Sequence, residues 1–105
     1  MAGALASVGI VAGAATLAVG LALAGSAAVA GQRLASAADA AALAAADAAS
    51  GAVPGVPCER ADELAAASGA RMEACELDAL IATVTVSARF GLFTATASAR
   101  AGPPP

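Results

Sequence analysis

The chain has 105 residues, 60% of them hydrophobic, and a formal net charge of -3, which leaves room for one small domain and no large core. Histidine and lysine are absent, so the usual general base, the commonest metal ligand and the lysine point charge for phosphate are missing. Five singly scattered arginines, with no Trp or Tyr, form neither a basic stripe nor a base-stacking platform, and nucleic acid is set aside as a partner.

Every charged residue lies at or after Arg33, which divides the chain into a neutral segment, Met1 to Gln32, and an acidic remainder. At 1.5 Å per residue, a helix over Leu5 to Ala30 is roughly 39 Å long, more than the hydrocarbon core of a bilayer. A single transmembrane helix over about residues 5–30 is expected. Its hydrophobicity is modest, because Leu5, Val8, Ile10, Leu17, Leu21 and Leu23 are diluted by alanine and glycine. At 100° per residue, Gly9, Gly13, Gly20 and Gly31 fall on one narrow face with Thr16, Ala24 and Ala27. Small residues on one face let another helix approach closely, so these glycines are candidate helix-packing positions.

Ala28-Val29-Ala30 before Gly31 also carries the small-x-small pattern of a signal-peptidase site. The competing reading is therefore a secreted small binding or effector domain released by cleavage after Ala30. The apolar stretch exceeds an ordinary signal core, and no basic residues precede it, which favours a retained anchor. The positive-inside rule weighs Arg33 against an outward C-terminal domain; a basic leader upstream of Met1 would remove the conflict.

Residues 32–50, QRLASAADAAALAAADAAS, contain no glycine or proline and consist mostly of the best helix former, so the helix continues to about Ser50. Gly51 and Pro54 stop it. Gln32, Ser36, Asp39, Asp47 and Ser50 form a wet stripe interrupted by Leu43, and the other faces are nearly pure alanine, narrow enough for close packing.

After a proline-bearing loop that contains Cys58, the stretch from Glu59 to Ala67 reads as a two-turn helix. Acids stand in its first turn, Ser68-Gly69 stops it, and Ala61, Leu64 and Ala65 face inward. From Leu80 to Phe90 the chain alternates, with Leu80, Ala82, Val84, Val86, Ala88 and Phe90 on the buried side. After Gly91 the pattern repeats, with Phe93, Ala95, Ala97 and Ala99 inward, so the two runs predict a hairpin. Arg71 to Leu77 adds a third strand of ambiguous facing, because turning Cys75 inward also turns Glu73 inward. Residues 103–105 are three prolines and are expected to be a disordered tail.

Cys58 and Cys75 are the only cysteines. A disulfide between them is the economical reading, with two free buried thiols as the alternative; without histidine they cannot complete a zinc site. Closing such a loop contributes about 3 kcal/mol and implies an oxidising compartment. The acids Asp62, Glu63, Glu73, Glu76 and Asp78 lack calcium-loop spacing and read as a solvated surface. Serines without a base and carboxylates without a pocket signal form no catalytic constellation, so no enzyme activity, cofactor, metal or small-molecule substrate is expected.

The run ASAADAAALAAADAA at 35–49 is similar to the helix that follows the membrane segment in TadE/TadG-like pseudopilins. The proline-bearing loop, Cys58, the helix ending in Ala67-Ser68-Gly69-Ala70, then Cys75 and a valine-threonine strand extend the likeness over nearly the whole chain. They resemble the small TadE-like proteins encoded near helicase and secretion genes in high-GC bacteria. The resemblance implies a minor pseudopilin or assembly component of a tight-adherence (Tad) pilus or secretion system, partnered by other pilin-like subunits through its N-terminal helix. The expected fold is α+β and pilin-like: a long N-terminal helix over 1–50 packed on a small exported domain over 51–102. That domain holds one short helix and a three-stranded antiparallel sheet. The expected location is a single-pass membrane protein with its C-terminal domain outside the cytoplasm.

Overall fold

The computed structural model describes residues 1–104; Pro105, the last residue of the expected tail, lies outside the described residues. One helix, α1, runs unbroken from Ala2 to Ala49, and is followed by α2 (Pro57–Ala67) and strands β1 (Arg71–Asp78), β2 (Ile81–Phe90) and β3 (Phe93–Ala101). The strands form one antiparallel sheet in the order β1-β2-β3. The fold is α+β, and the molecule is rod-like, 75 Å along its longest axis and 17 Å along its shortest. Pro103 and Pro104 are exposed and carry no regular secondary structure.

Both helices end as their glycines require. At the end of α1, Gly51 takes φ +80°, its N–H donates to the Ala48 carbonyl (3.2 Å), and the Ala52 N–H donates to the Asp47 carbonyl (2.9 Å). The same paired bonds close α2, from Gly69 N–H to the Ala66 carbonyl (3.0 Å) and from Ala70 N–H to the Ala65 carbonyl (2.9 Å). These are Schellman closures, in which the left-handed residue is one that has no Cβ to resist it. Pro57 starts α2 at the one helical position where a missing N–H costs nothing, so Cys58 sits in the first turn of the helix and not in the expected loop.

The core is thin. Leu34, Ala38, Ala41, Ala42, Ala45 and Ala46 of α1 meet Ala61 and Ala65 of α2 and Ala82, Val84 and Val86 of β2; the largest fully buried side chains are the two valines. Alanine contributes little burial per residue, but it lets the helix axes approach closely and brings many backbone atoms into dispersion contact. The wet stripe faces solvent as expected, and Leu43 within it is 55% exposed.

Several expected facings are corrected. Leu64 is a flank residue of α2, 37% exposed, because Ala61 and Ala65 are the residues α2 buries. Leu80 is not in a strand: Ala79 and Leu80 form the turn between Asp78 and Ile81, with Ala79 at φ +55°. Phe90 and Phe93 pair with each other across the second hairpin but lie at its tip beyond the packed part of α1, and both are exposed. A register shift between Met72 and Ala74 leaves Glu73 as an extra residue in β1. This bulge resolves the ambiguity of that strand: Met72 and Cys75 both pack toward the core, and Glu73 turns to Ser87.

Candidate interaction surfaces and the disulfide

The two cysteines are brought together. A disulfide links Cys58 on the first turn of α2 to Cys75 in β1, with Cα atoms 5.9 Å apart, and no cysteine is free. It ties the only helix that buries just two alanines to the outer strand of the sheet. Nearby, Arg60 clamps the loop between α1 and α2: its Nε and Nη2 donate to the Pro54 carbonyl at 3.1 and 3.0 Å, and Nη1 lies 3.4 Å from Glu63 Oε2. Gly55 has φ +125°, and a Cβ there would lie 2.9 Å from Arg60 Nε, so glycine leaves the space the clamp occupies.

The outer sheet face is polar and internally satisfied. Ser87, almost fully buried, donates from Oγ to Glu73 Oε1 at 2.6 Å, and Thr85 Oγ1 and Ser98 Oγ meet at 2.7 Å across β2 and β3. Among the described residues, no group of three or more His, Cys, Asp or Glu side chains is placed to hold a metal ion.

The N-terminal half of α1 is bare. Its most apolar stretch is not covered by the rest of the chain, and the helix is long and apolar enough to cross a membrane. Its hydroxyls bond within the helix: Ser7 Oγ donates to the Gly3 carbonyl and Thr16 Oγ1 to the Ala12 carbonyl, each at 2.9 Å. Such back-bonding lets a hydroxyl sit in an environment without water.

The four singled-out glycines separate into two groups. Apart from the adjoining backbone of α1 itself, nothing lies within 4 Å of where a Cβ would stand on any of them, so no neighbouring side chain or element demands glycine there. Gly9, Gly13 and Gly20 lie on the bare half. Gly31 lies beneath the sheet, in the wall of a small cavity of about 190 Å³ shared with the β2–β3 hairpin. At 100° per residue, the glycine face is the same face of α1 that carries Leu34, Ala38, Ala41, Ala42 and Ala45 against the head. That continuity is invisible when the two halves of the helix are read apart. The hairpin turn at Gly91 is where the alternation predicts it, but Phe90 and Phe93, expected inward, are exposed at its tip with Leu92. Both of the chain's aromatic residues thus flank one glycine turn, with a leucine between them. No protein-family model matches this chain, and no curated protein or solved structure matches it either.

Proposed function

We propose that the protein is a non-catalytic structural component of a membrane assembly, a minor pseudopilin or assembly factor of a tight-adherence pilus or secretion system. The observation that carries this is the division of one continuous helix. Its first half is apolar and uncovered, its second half is the spine of a disulfide-closed head, and one small-residue face runs through both. A helix with that face offers close approach to a neighbouring apolar helix, and association within a bilayer depends on such packing. The resemblance of residues 35–49 and of the Cys58 to Cys75 segment to TadE/TadG-like proteins supplies the particular system. The disulfide supports an oxidising, extracytoplasmic location for the head.

Gly9→Leu with Gly13→Leu tests the helix half of this. The double variant is expected to lose co-purification with pilin-like subunits of the same cells while its head keeps the disulfide; undiminished association rejects the glycine face as the contact.

One observation favours the alternative, a small binding domain released after Ala30. All buried residues of α1 stand at Leu34 or beyond, so cleavage at that point would leave the core of the head whole. The mature N-terminus separates the two: a protein that begins at Gly31 has no anchor, and one that retains residues 1–30 is not released.

A further inference from the structure

The chain reverses direction so that one end of the head is turned toward the apolar half of α1. Helix α2 descends to the Ser68-Gly69 turn, β1 climbs away from it, and β2 descends again to the tip at Gly91 and Leu92. That tip overhangs the apolar segment. Phe90 and Phe93 share the 190 Å³ cavity with Ala27, Ala30, Gly31 and Leu34, so the hairpin reaches below Arg33, to a level about 10 Å beneath Leu34 along the helix. Leu92 is 93% exposed and Phe93 75%, and they are accompanied by the half-covered Phe90. A glycine turn with φ +59° at Gly91 holds these side chains at the very end of the molecule's head.

Charge is distributed to match. Arg33 and Arg89 line a cleft of about 790 Å³ between α1, the Ser68-Gly69 turn and the end of β2. Arg71 lies beside Arg89 in an adjoining cleft with Glu73, the one acid that lines either cleft, which is held by Ser87. Among the described residues the single ion pair is Arg60–Glu63, so these three arginines are without carboxylate partners. The remaining acids stand along the wet stripe of α1, on α2 and toward the far end of β1.

We propose that this underside is a bilayer-seating surface, in which Leu92 and Phe93 enter the border of the hydrocarbon and Arg33 and Arg89 contact phospholipid headgroup phosphates. The inference rests on the reading of α1 as a membrane anchor and goes beyond it. An anchor alone leaves the head free to tilt, whereas a second, lateral contact sets its orientation on the membrane. Apolar and aromatic side chains flanked by cations are the composition that partitions to this interface. It also gives Arg33, adjacent to the end of the apolar segment, a partner on the same side as the head.

Because the chain has no tryptophan, single substitutions report alone. The full chain is reconstituted at low protein density in phosphatidylcholine vesicles containing a minority of phosphatidylglycerol, as three separate variants: Leu17→Trp, Leu92→Trp and Leu80→Trp. The probe at position 17 should be quenched by lipid brominated deep in its acyl chain. The probe at position 92 should be quenched by lipid brominated near the headgroup and be several-fold less accessible to aqueous acrylamide than the probe at position 80. Failure at position 17 removes the anchor itself. Success at 17 with equal acrylamide access at 92 and 80 leaves the anchor standing and overturns the seating surface. Shielding of position 92 from both acrylamide and brominated lipid means a second copy covers the tip, and likewise overturns it. Arg33→Gln with Arg89→Gln in the Leu92→Trp background should raise acrylamide quenching several-fold, and an unchanged value overturns the phosphate contact.

Discussion

Replacing both Cys58 and Cys75 by alanine should destabilise the head by about 3 kcal/mol. The bond joins residues 17 positions apart. In the chain-entropy treatment a loop of that length removes about 10 cal/mol/K from the unfolded ensemble, or about 3 kcal/mol at 25 °C. A domain of this size has a total stability on the order of 3 to 10 kcal/mol, so the bond represents a third of it or more. The thinness of the core makes that share credible: two valines are its largest fully buried side chains, and α2 contributes only Ala61 and Ala65. Hydrogen exchange of the full chain in micelles measures the effect without interference from the apolar half of α1. Amides of β2 around Val84 and Val86 open only when the whole head opens, so their exchange should accelerate about a hundredfold, at a tenfold change per roughly 1.4 kcal/mol. Acceleration confined to α2, with β2 unchanged, would refute the reasoning, because the bond would then be a local staple and not a constraint on the whole unfolded head.

Ala45→Leu, at a fully buried position, should cost about 1 to 3 kcal/mol by overpacking, while Leu43→Ala on the wet stripe should change stability by less than about 0.5 kcal/mol; urea unfolding compares the two. Ala79→Val should cost about 1 to 2 kcal/mol, because a β-branched residue resists φ +55°, whereas Ala79→Gly should be tolerated. Equal losses in thermal unfolding would dismiss strain at that turn. Gly55→Ala should dislodge Arg60 from the Pro54 carbonyl and cost about 1 kcal/mol or more, read as faster hydrogen exchange in residues 52–58; unchanged exchange would mean the clamp does not hold the loop.

Much of this architecture was legible because it depends on neighbours in the sequence. The uncharged run to Gln32, the alanine helix stopped by Gly51, the short helix stopped by Gly69 and the alternation of β2 and β3 each reflect a local period or a local terminator. The cysteine pair was legible for a different reason: two cysteines and no histidine leave few chemistries open. Tertiary structure decided what alternation cannot encode. A strand's period distinguishes two faces but does not tell how far a covering helix extends, so Phe90 and Phe93 are on the inward side and yet exposed, past the last packed turn at Leu34. A bulge is a property of two strands in register, so only pairing with β2 shows that Met72 and Cys75 both face the core and Glu73 reaches Ser87. The turn at Ala79 and Leu80 likewise follows from the register of Asp78 with Ile81, against the apolar pattern that placed Leu80 in the strand. What the chain determines alone is therefore its helix, its strands and its neutral half. Packing decides which residues those elements leave uncovered, because exposure depends on how far separate elements overlap in space.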